Sequence, residues 1–392
     1  MSFRVRLTWC FLPFFMILSA SKVVGENVSL QTGAELTEEW LPLLEGQRVG
    51  LLVNHTSQID GLHLIDTMLA LGVKVERIFA PEHGFRGDSD AGALIKDGVD
   101  AASGIPVVSL YGESKKPSAA QLEGLDVIAF DIQDVGVRFY TYISSMHYMM
   151  EACAENGVKM LVFDRPNPNG DYVDGPVLKD GFTSFVGMHP IPVVHGLTVG
   201  ELALMINGEG WLANGAKCDL EVVKMKGYTH ALLYSPPVKP SPNLPNLLSI
   251  RLYPSLCFFE GTDVSVGRGT EFPFQVIGYP DPRFGEFSFR PVSTPGAASE
   301  PLQQDRLCYG LDLRETEGVD HRFSLKYLLL FYKLSGRDDN FISRPRFFNL
   351  LAGSERLAQQ IVQGLSEEAI RSSWCQELEE YCIMRCNYLL YP

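Results

Sequence analysis

Five short apolar runs pace the first half of the chain: Val49–Val53, Val75–Phe79, Pro106–Leu110, Val127–Phe130 and Met160–Phe163. They recur roughly 20 to 33 residues apart, the spacing of βα units on a parallel sheet. The runs are nearly continuous in apolar residues instead of alternating, as strands covered on both faces require. Helical patterns fall between them, at Leu62–Leu71, Ala119–Leu122 and Tyr142–Asn156. The last puts Ile143, Met146, His147, Met150 and Ala154 on one face and is followed by Gly157 as a C-cap.

This pattern predicts an open Rossmann-like α/β domain over residues 26–184, its strand–helix alternation running over about 40–180. Residues 185–392 read as an α+β domain. Within the second part, Thr198 and Glu201 form a capping box at the head of a helix over Leu197–Trp211. Cys218–Met225 reads as a strand, the Pro/Asn-rich stretch 235–247 as an extended loop, and 280–305 as loop-rich. Phe323–Leu334 and Glu355–Gln363 read as helices, and another starts at Ser366.

The first 25 residues follow a different rule. Arg4 and Arg6 form a basic n-region, Leu7–Leu18 is an apolar stretch of secretory length, and small residues follow. A signal peptide cleaved after Ala20 or Gly25 is expected, with export to the periplasm or the cell exterior. Removing 1–25 removes Arg4, Arg6 and Lys22 and no acid, so the formal charge falls from −14 by three, to −17. No other stretch approaches the ~18 apolar residues of a membrane span.

The chain has 392 residues, 46% hydrophobic and 20% charged, enough for two domains and a large core. An excess of 47 acids over 33 lysines and arginines argues against nucleic-acid or anionic-membrane binding, which needs clustered cations. Seven cysteines follow residue 25. Cys375, Cys382 and Cys386 share helical spacing; buried thiols on one helix face are expected, with one disulfide among them as the next reading.

Candidate chemistry gathers where the strands end, which is where open α/β sheets bind ligands. The first strand runs into Asn54-His55-Thr56, the second into Glu82-His83-Gly84-Phe85-Arg86, and the third into Tyr111-Gly112-Glu113. The fourth runs into Asp131-Ile132-Gln133-Asp134, then Arg138, and the fifth into Asp164-Arg165-Pro166-Asn167. No G-x-G-x-x-G, P-loop or G-x-S-x-G pattern accompanies them. Carboxylates, Asn, His and Arg suit general acid–base chemistry on a hydroxyl-rich substrate. A hard metal held by Asp131, Asp134 and Asp164 with His55 or His83 is the competing reading.

Glu82 is the foremost catalytic candidate, set between Pro81 and the loop glycines Gly84 and Gly87. A glycosidase acid needs a carboxyl raised by burial. If Glu82 is that acid, His83 and Arg86 should therefore point toward substrate; the bland alternative makes Glu82 a helix cap. In the second half, Glu260, Arg268 and Glu271 share an aromatic, Gly-rich stretch that reads as a sugar-binding loop or a charged hairpin. Pro242 and Pro245 present Asn243, and His195 sits just before a helix N-terminus, a place to meet an anion.

The strings GLLVNHTSQ (50–58), APEHGFRGD (80–88), DIQDVGVRFYTY (131–142), DRPNPNG (164–170), SPNLPN (241–246), FEGTDVSVGRGTE (259–271) and NYLLYP (387–392) occur in order. Together they resemble the NamZ-like exo-β-N-acetylmuramidases, glycoside hydrolase family 171, over essentially the whole mature chain. The resemblance implies a secreted enzyme that needs no cofactor and removes terminal β-1,4-linked N-acetylmuramic acid (MurNAc) from peptidoglycan fragments such as MurNAc–N-acetylglucosamine (MurNAc-GlcNAc). It implies an active-site cleft between the Rossmann-like and α+β domains and places the family's presumed catalytic glutamate, in the PEHG motif, on Glu82. The lactyl carboxylate of MurNAc calls for a cation, for which Arg86, Arg138, Arg165 and Arg268 are the candidates. Two other classes remain open: a metal-dependent hydrolase of another polar substrate, and a non-catalytic cell-wall-binding protein.

Overall fold

The computed structural model describes residues 29–82, 84–85, 98–112, 114–314, 321–336, 338 and 340–392. The expected signal peptide, His83 and Arg86 lie outside the described residues.

The five apolar runs are strands of one sheet. They are β1 (Arg48–Val53), β2 (Lys74–Ala80), β4 (Pro106–Ser109), β5 (Val127–Asp131) and β6 (Lys159–Phe163), with a short β3 (Gly98–Val99) and a seventh strand, β7 (Leu220–Val223). The order is β3-β4-β2-β1-β5-β6-β7. All neighbours pair parallel except β3, which runs antiparallel on the edge. Read along the six parallel strands this is the doubly wound order, with its reversal between β1 and β5. The strand read at Cys218–Met225 is thus the last strand of the first sheet. The sheet runs past the boundary expected at 184–185, because a parallel strand needs a crossover and α5 (Val199–Gly208) supplies it.

Alternation along the buried strands explains their apolar sequences. Leu51 and Val53 pack under Trp40, Leu64 and Met68, from α1 (Thr37–Leu44) and α2 (Leu64–Ala70). Leu52 faces the other way, onto Met146 and Met150 of α4 (Tyr142–Asn156). That second core continues into Phe258, Phe331 and Phe348 of the C-terminal part, so one apolar interior spans both halves. The expected capping box forms at Thr198, whose hydroxyl accepts from the Glu201 N–H at 3.2 Å.

The C-terminal part holds α6 (Leu247–Leu256), a small antiparallel sheet and a helical tail. The sheet is β8 (Val276–Tyr279), β9 (Phe287–Phe289) and β10 (Cys308–Asp312), ordered β8-β10-β9. The loop-rich reading of 280–305 missed β9, which is only three residues long. The tail runs through α7 (Lys326–Leu334), α8 (Pro345–Ala352), α9 (Arg356–Val362), α10 (Glu367–Ser372) and α11 (Cys375–Arg385). Cys375 and Cys386 are exposed and Cys382 half-buried, all as free thiols, against the expected buried face; the buried thiols are Cys153, Cys218, Cys257 and Cys308. Among the described residues no helix is long and apolar enough to cross a membrane.

Candidate active site

Parallel pairing brings the carboxyl ends of the strands to one rim, as the register of Val53 with Asp131 and of Leu52 with Phe79 shows. A pocket of about 320 Å³ opens there between the halves. Glu82 and Tyr111 wall it from the ends of β2 and β4, Tyr140 and Tyr142 from the turn into α4, and Asn243, Glu260 and Arg268 from the C-terminal side.

Glu82 is flanked from two directions. Its Oε2 accepts a hydrogen bond from Thr141 Oγ1 at 3.0 Å. Tyr111 stands beside the carboxylate in the same wall, and burial, reinforced by the Glu82 charge, pushes the Tyr111 hydroxyl up to about 12. Tyr111 therefore stays a proton-bearing donor at any physiological pH. Neither contact is a helix cap.

The rest of the pocket is aromatic. Tyr140 and Tyr142 meet edge to face at 5.0 Å, and Tyr253 and Phe274 do the same at 5.0 Å. The Tyr140 hydroxyl is anchored by donating to the Pro240 carbonyl at 2.6 Å. Such rings offer apolar faces to a ligand whose hydroxyls meet the carboxylates. On the far wall, Arg268 donates to Glu260 Oε1 through Nε at 2.8 Å and Nη2 at 2.6 Å, and lies over Phe274 at 4.9 Å. Lys115 adds a second cation, 4.1 Å over the Phe185 ring.

Asp134 and Asn54 stand behind the tyrosines. Asp134 Oδ2 accepts from the Gly136 N–H at 2.6 Å, and its Oδ1 has no hydrogen-bond partner among the described residues. Burial pushes this carboxyl up to about 7. Asn54 accepts from Thr56 Oγ1 at 2.6 Å and Thr56 N at 2.9 Å, pinning the turn after β1, and its amide lies against the Tyr142 hydroxyl.

Other rim candidates spend their polar atoms within the fold. Asp131 is fully buried in a fork with Arg165, at 2.5 Å to Nε and 2.7 Å to Nη2, so each answers the other's charge. Asp164 accepts from Thr198 Oγ1 at 2.7 Å, Gly200 N at 2.8 Å and Tyr391 Oη at 2.6 Å. Burial pushes the Asp164 carboxyl up to about 6 even so. Arg138 is fully buried and donates to the carbonyls of Pro176, Ile191 and Leu351 at 2.7, 2.7 and 2.8 Å, which removes it as a lactyl ligand.

Asn167 bonds Asn169 N and the Leu197 carbonyl, both at 2.8 Å, and a Cβ at Gly136 would overlap its amide. His195 meets no solvent: it is buried, its Nδ1 accepts from Leu197 N at 3.2 Å, and burial lowers it to about 3. His55 and Glu271 line a neighbouring groove instead, where His55 Nε2 meets the Lys239 carbonyl at 2.9 Å. The same geometry does not gather the described residues of the metal reading into a site. Asp131 and Asp164 are already bonded within the protein, and among the described residues no group of three His, Cys, Asp or Glu side chains is placed to hold an ion.

Tyr140, Thr141 and Tyr142 lie inside the quoted string DIQDVGVRFYTY, and Tyr111 ends the third run, yet sequence reasoning passed over all four as site residues. An aromatic cluster at a strand end was the available signal. Lys115 carried none.

Comparison with known proteins identifies the family. Residues 49–248 match the family model of the exo-β-N-acetylmuramidase NamZ N-terminal domain, and residues 251–391 that of its C-terminal domain. The chain is 37% identical over 388 residues to the peptidoglycan β-N-acetylmuramidase NamZ of Bacillus subtilis (strain 168), covering 94% of this chain and 92% of that one. Two crystal structures of DUF1343 family proteins from Bacteroides fragilis NCTC 9343 superpose with TM-scores of 0.86 and 0.80, at 44% and 31% identity. Each covers 93% of this chain and 99% of the other.

Proposed function

Because the chain belongs to the NamZ family of exo-β-N-acetylmuramidases, we propose that it releases terminal β-1,4-linked MurNAc from peptidoglycan fragments in the pocket that Glu82 faces. The observation that carries this assignment is the placement of Glu82: a strand-end carboxylate, bonded by Thr141 with Tyr111 beside it, opening onto an aromatic-lined pocket of about 320 Å³. Glu82 supplies general acid or base chemistry at the glycosidic bond. Thr141 fixes its orientation, and the tyrosines pack against the sugar.

The lactyl carboxylate takes the cationic side of the pocket. Arg138 is spent on carbonyls and Arg165 is paired with Asp131, so among the described residues Arg268 and the unanticipated Lys115 are the cations in the wall, with Arg86 outside that set. Arg268 is shared with Glu260, so its attraction for an anion is partial; Lys115 supplies the complement. The sequence pattern of residues 1–25 supports export to the compartment where peptidoglycan is found.

The direct test is mass spectrometry of products from a MurNAc-GlcNAc disaccharide. Free MurNAc and free GlcNAc are expected; an intact disaccharide would overturn the assignment.

A further inference from the structure

A second and larger cavity, about 600 Å³, opens on the same rim. It lies over the ends of β1, β5 and β6, walled by Glu35, Thr56, Gln133, Arg165 and the stretch Tyr234–Val238. Strands stand about 4.8 Å apart, so three spacings separate β2 from β6 and set Arg165 on the order of 14 Å from Glu82. The cavity shares no lining residue with the Glu82 pocket, and a groove takes its lining from chain next to the cavity and from the pocket. Val238 lines the cavity and Lys239 the groove beside it, Thr56 the cavity and His55 that groove, and Asn243 is shared by the groove and the Glu82 pocket.

The cavity carries unspent polar capacity. Gln133 is 2% exposed. Its Nε2 donates to the carbonyls of Asp134 and Pro166, both at 2.8 Å, while its Oε1 has no hydrogen-bond partner among the described residues. A buried acceptor left unmade is costly unless something donates to it. The charge of Arg165 is already met by the Asp131 fork. The carboxylate of Glu35 is bonded by the Thr32 N–H at 2.6 Å and hydroxyl at 2.9 Å, and the guanidinium that faces it, Arg165, is shared with Asp131, which leaves two carboxylates to one cation. The balance inside the cavity is therefore negative, which repels carboxylates and phosphates. Tyr234, Pro236, Pro237 and Val238 form its apolar wall. A neutral ligand with hydroxyl or amide N–H donors and one apolar face fits this chemistry.

We propose that this cavity is a second saccharide site that holds a neutral N-acetylamino sugar of the glycan on the leaving-group side of the Glu82 pocket. The proposal rests on the reading of the Glu82 pocket for its direction along the glycan. The sugar it favours is the uncharged member of an alternating MurNAc-GlcNAc chain, and its contacts add affinity for chains long enough to reach it.

The test uses the intact protein and a Ser235→Trp variant. Ser235 lines the cavity, is exposed and takes no part in the Glu82 pocket. Calorimetric titration with a β-1,4-linked GlcNAc trisaccharide is expected to show binding that Ser235→Trp weakens at least tenfold. The kcat/KM of the same variant on an aryl MurNAc glycoside, which reaches only the Glu82 pocket, should stay within about twofold of wild type, since removing contacts remote from the reacting bond leaves the chemical step intact. Tyr234→Ala, a wall deletion in place of a plug, should weaken the trisaccharide in the same sense should Ser235→Trp fold poorly. Trisaccharide affinity unchanged in both variants, or cavity-dependent binding of an uncharged tripeptide without binding of the trisaccharide, would overturn the proposal. Failure of wild type to cleave the aryl glycoside, with trisaccharide binding intact, would instead overturn the reading of the Glu82 pocket.

Discussion

Thr141 Oγ1 and Glu82 Oε2 meet at 3.0 Å, tying the residue before α4 to the loop that leaves β2. Thr141→Val keeps the shape and removes the donor. One such hydrogen bond is worth about 0.5–1.5 kcal/mol, so kcat should fall by about 2- to 12-fold. Thr141→Ser should restore it, because the hydroxyl and not the methyl does the positioning. Steady-state kinetics on one chromogenic MurNAc substrate reads both variants.

Recognition of the lactyl group separates two kinds of cation. Lys115→Met and Arg268→Gln should lower kcat/KM on a MurNAc glycoside by about 10-fold or more while sparing the GlcNAc analogue, as loss of a charge-assisted bond does. Arg138→Met should behave differently. It leaves three buried carbonyls unpaired and should lower the melting temperature by several degrees without shifting the MurNAc-to-GlcNAc preference.

The fold was legible because buried parallel strands write themselves as continuous apolar runs, and each of the five runs became a strand in the expected sheet. The site was legible only at its centre. A polar residue at a strand end answers first to the backbone around it. Asn54, Asn167 and Asp164 therefore spend their atoms on turns and on the C-terminal tail, and Asp131 on Arg165. Spacing along the chain shows which residues share a rim, but not which way each side chain turns. Lys115 reaches the pocket from a loop whose path only the packed structure fixes.

Asp134 gives the protein a pH signature. Its carboxyl sits at about 7 when folded because burial disfavours the charge, against about 4 when unfolded. The native state thus binds the extra proton between those values. Stability from this group is complete below pH ~4 and declines as pH rises through 7. Asp134→Asn removes the penalty, so its melting temperature relative to wild type should be higher at pH 8 than at pH 5. A difference that is flat or shrinks with pH would contradict the assignment.

The last residues act as a clamp. Tyr391 Oη donates to the buried Asp164 at 2.6 Å and accepts from Met225 N at 2.9 Å, and the Leu390 N–H donates to Glu201 at 2.8 Å. Tyr391→Phe leaves both Asp164 and the Met225 N–H short of a partner. A loss of about 1–3 kcal/mol is expected in denaturant unfolding, with the midpoint lowered and the slope unchanged.

The central claim is that Glu82 performs the chemistry, and one Glu82→Gln sample tests it through two readings. General acid–base groups contribute about 10²- to 10⁴-fold, so kcat on MurNAc-GlcNAc should fall by that factor. The melting temperature should stay close to wild type, since the half-buried carboxylate holds no core together. Near wild-type turnover by Glu82→Gln, with or without a lowered melting temperature, would contradict the account.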